Sequence, residues 1–400
     1  MSPSTRPTNN TPNHHRRQEK IDWFAVLDNP PLAVAVAVVL VALFVIFSDY
    51  QTLLSFVALD KGAIPSKVVL GRENLKIAFC VTGQLQRLEI LSKIANIFIP
   101  NAKMGHIVHV FVLLDDTPDV KQTFWRYDYS DTPYANYTTE RLERLIARKT
   151  YAANLGGYFK AHVRVGPPAQ DLFEVVDGFV PVKEKIINTD AQKVSTKNGQ
   201  GVNNDMVESA EARFKNNLAW MAGLRDCVKW TQQVEQEQGY FYDLVVKLRE
   251  DTLAFDNWIF FKDLLQGALT SAYIGAYRGV NDHNLVLGRK YADVLFRGII
   301  EDYYFKESNR RQMWNNTESR IFAVASEHNV TIRTTSMCEM PLIPLRNAWN
   351  KTHWLIHPQY AKLYQTTCNQ GDEDWLGCQC RYNPVWMKLF NDSVIPFDWP

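Results

Sequence analysis

From Leu32 to Phe47 the chain reads LAVAVAVVLVALFVIF, a run without one polar side chain. A bilayer core needs about 20 mostly apolar residues, and ~17 at the least. The run therefore predicts a short transmembrane helix over 30–50, recruiting Pro30 and Pro31 at its start or Ser48 to Tyr50 at its end. Prolines are tolerated there because the first turn of a helix has no intrahelical partner for its N–H groups. Trp23, Phe24 and Tyr50 stand where aromatic anchors sit at membrane interfaces. A buried core helix would show a polar face, which this run lacks. A cleaved signal peptide also sets a basic stretch before an apolar run, but about thirty residues precede this one and no A-x-A site directly follows it.

Arg16, Arg17 and Lys20 precede the run, and only Lys61 and Lys67 follow at a similar distance. That bias predicts a cytosolic N-terminus and a lumenal C-terminal part, a single-pass type II arrangement, and the shortness of the span suits the thinner membranes of the early secretory pathway, in the ER or Golgi. The cysteines number six, and Cys368, Cys378 and Cys380 crowd one C-terminal stretch. In an oxidising compartment these read as local disulfides. A zinc site is the other reading of clustered cysteines, although no CxxC pair or matching histidine spacing is present. Sequons at Asn136, Asn315, Asn329, Asn350 and Asn391 predict N-glycosylation of the lumenal part, while Asn9 carries one on the cytosolic side.

Net charge is +1 on 400 residues, with 46% hydrophobic content. Bulk charge therefore gives no sign of a nucleic-acid partner, and the chain can bury a core. Residues 1–29 read as a disordered cytosolic tail, 51–75 as a stem, 76–346 as the main folded domain, and 347–400 as a Cys-containing extension packed on it. From Lys76 strands alternate with helices, which predicts an α/β domain with a mostly parallel sheet. Strands are expected at Lys76–Thr82, His106–Leu114, Ala161–Val165, Leu244–Leu248, Ala272–Tyr277, Leu285–Gly288 and Val330–Thr334. Helices are expected from Leu85 to Phe98, Asn204 to Gln238, Lys290 to Lys306 and Glu318 to His328. Between Thr117 and Asn203 only Ala161–Val165 has a clear signal.

Ligands of open α/β sheets bind at the C-terminal ends of the strands. Arg249, Glu250 and Asp251 end the strand in YDLVVKLRED. Adjacent carboxylates there can hold Mn²⁺ or Mg²⁺ while phosphate oxygens complete the shell; the same residues also read as an acidic turn or a helix cap. In KIAFCVTGQLQRLE, Gly83 lets the backbone approach a ligand and Arg87 can reach a phosphate. In GVNDHNLVLGRKYAD, Asp282 is a candidate base, with Glu301 and Asp302 as competitors. Asn281, Asp282 and His283 equally suit a turn. His353 and His357 lie four apart and also suit plain packing.

The order of long helix, Gly239, YDLVVKLRED and an aromatic-rich segment resembles the core of Golgi glycosyltransferases with the GT-A fold. The resemblance covers roughly 76–346. It implies a nucleotide-sugar donor, a glycan or glycoconjugate acceptor and a metal bound by a D-x-D-type motif. Here Arg249 stands in place of the first aspartate. The resemblance makes Asp251 a metal ligand with Glu250 and His357, and gives Arg249 a phosphate contact. It also turns Thr82, Gly83, Gln84 and Arg87 toward the donor and Asp282 toward the acceptor. A catalytically inert domain that keeps the fold and binds a glycan or partner is the alternative. A glycoside hydrolase would need two carboxyl groups set across a sugar cleft. No P-loop, G-x-S-x-G elbow or H-E-x-x-H helix is present.

Overall fold

The computed structural model describes residues 74–117, 133–167, 191, 195, 201–202, 204–261, 268–272, 280–304, 317–335, 340–349, 353–356 and 394–396. The chain divides into units 1–67 and 68–400, and every described residue belongs to the second. The apolar run lies outside the described residues. Among those described, no helix is long and apolar enough to cross a membrane.

The run KIAFCVTGQ forms β1 (Lys76–Gln84), and IVHVFVLLD forms β2 (Ile107–Asp115). Each is buried along nearly its whole length, as a strand covered on both faces must be. Then come β3 (Phe159–Val165), β4 (Leu244–Arg249), β5 (Thr252–Ala254), β6 (Ala268–Ala272), β7 (Asn284–Gly288), β8 (Thr331–Thr335), β9 (Leu342–Trp349), β10 (His353–Ile356) and β11 (Val394–Pro396). One sheet has the order β3-β2-β1-β4-β7-β6-β8, and a second has the order β11-β10-β9-β5. In the large sheet β1 pairs in parallel with both β2 and β4, β2 with β3, and β6 with β8; only β7 runs antiparallel to its two neighbours. The architecture is mixed α/β with a mostly parallel large sheet.

Alternate residues of β1 feed two cores. Ile77, Phe79 and Val81 pack with Phe98 and Phe260, while Ala78 and Cys80 face Leu224 and Cys227. The second face is covered by α3 (Asn204–Gln238), whose bounds match the expected helix. It ends at Gly239, in the left-handed conformation with φ 68°. Cys80 and Cys227 form a disulfide that ties β1 to α3 across a separation of 147 residues. The clustered Cys368, Cys378 and Cys380 lie outside the described residues.

Other elements depart from the expectations. The segment after β1 begins not as a helix but as a 3-10 turn, Leu85–Arg87, followed by extended residues; helix α1 starts only at Leu91, passes through a π-turn at Ile94–Phe98 and resumes over Ile99–Lys103. The delay has a cause: the Glu89 N–H donates to the carbonyl of Glu250 (2.9 Å) instead of entering a helix. Pro100 has no N–H to give the carbonyl of Asn96, and that carbonyl accepts from the Trp258 N–H at 2.8 Å. Helix α2 (Thr139–Tyr151) fills part of the region without a clear signal, with Thr138 capping it by accepting from the Arg141 N–H. The unexpected strand β6 (Ala268–Ala272) takes the parallel register along β8, and the expected strand Ala272–Tyr277 lies, apart from Ala272, outside the described residues. Helices α4 (Arg289–Tyr304) and α5 (Thr317–Glu327) lie within two residues of their expected bounds.

In the loop-entropy account, a cross-link closing a loop of this length contributes about 4–5 kcal/mol. The double substitution Cys80→Ala with Cys227→Ala should lower the unfolding free energy by that order in denaturant titration.

Over the first half of β2 and β3, His162 stacks on Phe111 at 4.7 Å, and Tyr242 Oη lies 2.5 Å from His109 Nδ1. Burial first, then the neighbouring positive charges, pushes both histidines down to about 4. An unfolded histidine binds its proton near ~6.5, so between pH 6.5 and 4 the unfolded state holds more protons and stability falls as pH falls. Replacing His162 with Phe, which keeps the stacking, should flatten the drop in melting temperature over that window.

Candidate functional site

The connection from β1 leads to β2 on one side, whereas β4 joins β1 on the other. The strand order therefore switches between β1 and β4, the place where an open α/β sheet leaves a crevice at its carboxyl edge. Thr82 of β1 lies in register with Arg249 of β4 there. This brings Thr82, Gly83, Gln84, Arg87, Arg249, Glu250 and Asp251 to one edge of the sheet.

Gly83 has φ 146°, a conformation that side-chain-bearing residues avoid, and a Cβ there would lie 1.8 Å from Glu250 Oε2. The Glu250 carboxyl thus occupies the volume directly above the Gly83 backbone. Glu250 is 4% exposed and Asp251 2%. Burial pushes the Glu250 pKa up, the Asp251 charge pushes it further, and the guanidinium groups of Arg249 and Arg87 oppose both. Arg249 holds Asp251 by one hydrogen bond, Nη2 to Oδ2 at 2.8 Å, and by an ion-pair contact of 2.8 Å between Nε and Oδ1. Thr82 Oγ1 is buried and meets no hydrogen-bond partner among the described residues.

The turn carrying this triplet is fixed from below. Lys93, fully buried in α1, donates to the carbonyls of Glu89, Glu250 (3.1 Å) and Thr252, and its ammonium lies 3.5 Å from the Glu89 carboxylate. Glu89 in turn accepts from Ser92 N–H (2.9 Å) and Oγ (2.5 Å), and Ser92 Oγ accepts from the Ala254 N–H. The Arg249 N–H donates to His283 O at 2.9 Å, and Leu345 N–H to Asp251 O at 2.7 Å. Burial lowers the Lys93 pKa, and the charges of Glu89, Asp251 and Glu250 oppose it.

Asp282 stands beside this turn. Asn281 Oδ1 accepts from the His283 N–H at 2.7 Å, so the segment is the turn that its composition also suggested, with Asp282 at its tip. Lys247, fully buried in β4, donates to the carbonyls of Asp282 and His283 and lies 5.1 Å from the Trp220 ring. Burial pulls Lys247 down to about 8. Glu318, in the first turn of α5, is pushed up to about 7 by burial and then by the charge of Asp282, while Arg249 and Arg320 oppose it. Glu301 and Asp302 fall in the last turns of α4, with their side chains outside the described part. His357 lies outside the described residues, as do Asn315, Asn350 and Asn391; Asn136 and Asn329 are exposed.

Lys93, Lys247 and Glu318 escaped the sequence reading. Lys247 had a signal, since a lysine inside LVVKLR must be buried if both faces of the strand are covered.

The triplet does not fit a divalent cation as it stands. Both Asp251 oxygens engage Arg249, the Glu250 carboxyl is packed over Gly83, and among the described residues no three His, Cys, Asp or Glu side chains converge on a common point.

No family model and no curated protein matches the chain. Structure neighbours are glycosyltransferases. Two structures of the glycosyltransferase GlyE from Streptococcus pneumoniae TIGR4 are similar at 8% identity, with TM-scores of 0.30 and 0.29, over 66% of this chain. The match spans 45% and 46% of those chains, less than half their length. Mouse xyloside xylosyltransferase 1 in its apo form is similar at 9% identity and TM-score 0.29, over 66% of this chain and 86% of that one. At such scores the reading of the site rests on this chain's own geometry.

Removing the Lys93 ammonium leaves the Glu89 carboxylate buried without its counter-charge and takes one donor from each of three carbonyls. A broken buried pair costs roughly 3–5 kcal/mol, so Lys93→Met should destabilise the fold by that order in denaturant titration. Lys93→Arg should fail to restore it, because a planar fork cannot reach three converging oxygens.

Proposed function

We propose that this chain is a glycosyltransferase that moves a sugar from a nucleotide-sugar donor to a glycan, protein or lipid acceptor. The observation that carries the reading is the crevice at the switch point between β1 and β4, where the Glu250 carboxyl packs over Gly83 and the guanidinium groups of Arg87 and Arg249 act on it. A guanidinium fork matches phosphate oxygens in shape and charge, so the diphosphate of the donor lies against Arg87 and Arg249. Asp282, at the tip of its turn and part-exposed, takes the proton of the acceptor hydroxyl. As that oxygen bonds to the anomeric carbon, the bond to the diphosphate breaks and the diphosphate leaves with the electron pair. Lys247 holds the Asp282 backbone in place from beneath. Residues 30–50 anchor the chain as a type II protein in the ER or Golgi membrane, with the α/β domain on the lumenal side. The Cys80–Cys227 disulfide and the exposed sequons at Asn136 and Asn329 support that compartment.

A second reading is an inert domain that binds a glycan or a partner. The Arg249–Asp251 grip favours it, because the acid of the triplet is already neutralised.

A screen of UDP- and GDP-sugars against the detergent-solubilised full chain separates these readings. A ligand at about 100 times its Kd adds about 2.7 kcal/mol of stability, so a donor raises the melting temperature measurably. Gly83→Val should abolish the shift, since its side chain collides with Glu250. If no sugar nucleotide shifts the melting point, the donor site is refuted. A shift without sugar release or transfer leaves the inert domain as the better reading.

A further inference from the structure

We propose that Arg249 is the resident cation of this site, so that a nucleoside diphosphate binds here without a divalent metal; the inference rests on the donor-site reading above. A divalent ion in a site of this kind neutralises the diphosphate and fixes it to the protein through carboxylate oxygens. Arg249 already performs the second of these tasks, because its guanidinium is fixed to Asp251 by a hydrogen bond from Nη2 to Oδ2 and by an ion-pair contact between Nε and Oδ1, each 2.8 Å. It is also the outermost member of the pair. The Arg249 side chain is 21% exposed and that of Asp251 2%, so a phosphate arriving from solvent meets the guanidinium before the acid.

A metal ion would need the opposite arrangement. To reach Asp251 it would have to break the Arg249 fork and then sit beside the displaced guanidinium, with Arg87 also close enough to act on Glu250. Glu250 offers no alternative, since its carboxyl fills the space over Gly83. The turn cannot easily rotate its acids outward, because the carbonyls of Glu250 and Asp251 and the N–H of Arg249 are all engaged by other parts of the chain. The replacement of an aspartate by Arg249 therefore comes with its geometric counterpart: the acid of the triplet holds the guanidinium, and the guanidinium faces the ligand.

The test is the binding of UDP and GDP to the full chain, measured by calorimetry in EDTA and again with Mn²⁺. The expected result is a Kd within about twofold between the two conditions. Arg249→Asp should weaken binding in EDTA by roughly tenfold or more, and Arg249→Lys, which keeps the charge and loses the fork, should also weaken it. The melting temperature of each variant without ligand reports whether it folds, and the wild-type comparison stands even if neither does. Binding of the wild type that needs Mn²⁺ overturns this inference alone. Unchanged binding by a folded Arg249→Asp variant in EDTA overturns it too. Absence of binding in both conditions overturns the donor-site reading and this inference with it.

Discussion

The buried ammonium of Lys93 holds the candidate site together. It is fully buried, and its three N–H donors meet three carbonyls, one from its own segment and two from the chain beyond β4, 157 and 159 residues away. A charge can remain in such a place only if its donors are used and a counter-charge is near. Glu89 supplies the counter-charge and is itself fixed by Ser92. The arrangement sets where α1 starts, because Glu89 must turn its N–H toward Glu250 before the helix begins. It also sets the height of the Arg249-Glu250-Asp251 turn above the end of β1, and with it the contact between Glu250 and Gly83. One side chain thus couples the start of a helix, the end of a strand and the shape of the crevice.

The parts of the fold that depend on strong local patterns could be read directly. β1, β2 and β4 are unbroken apolar runs with no solvent face to blur them, and α3 repeats its apolar residues over a length no strand could use. The parts that depend on distant partners could not. Nothing near Leu85 says that Glu89 will bond to a residue beyond β4, so a continuous helix was the natural expectation. β6 is the short, small-residue segment ALTSA, which becomes a strand through its pairing with β7 and β8 rather than by propensity. Helix α2 did carry a signal, with Thr138 as its cap and Leu142 and Ile146 on one face, but the turn residues around it obscured that signal.

The site divides in the same way. Gly83, Arg87, Glu250 and Asp251 stand at strand ends, and the general rule for open α/β sheets was enough to bring them together. Their relations to one another were not legible. The triplet reads as two acids with a stray arginine, whereas the folded chain makes Arg249 and Asp251 one unit and leaves Glu250 to the glycine. Lysines are usually solvated, so neither Lys93 nor Lys247 invites attention, although each interrupts a buried pattern. Lys93 follows Ile90 and precedes Ile94 and Ile97 on the inward side of α1, a position where a charge must find partners inside.

Charge around Asp282 follows from the same burial. Under the proposed reaction, the group that takes the acceptor proton must be ionised when it acts and must not be neutralised by its support. Lys247 binds the Asp282 segment through backbone carbonyls, which fixes the turn, and His283 Nε2 lies 3.5 Å from Asp282 Oδ1. Glu318 adds a second carboxyl whose pKa burial and the Asp282 charge hold at about 7. Arg249 opposes the upward shift of both Glu318 and Glu250. Arg249 thereby links the crevice between β1 and β4 to the surroundings of the Asp282 turn electrostatically.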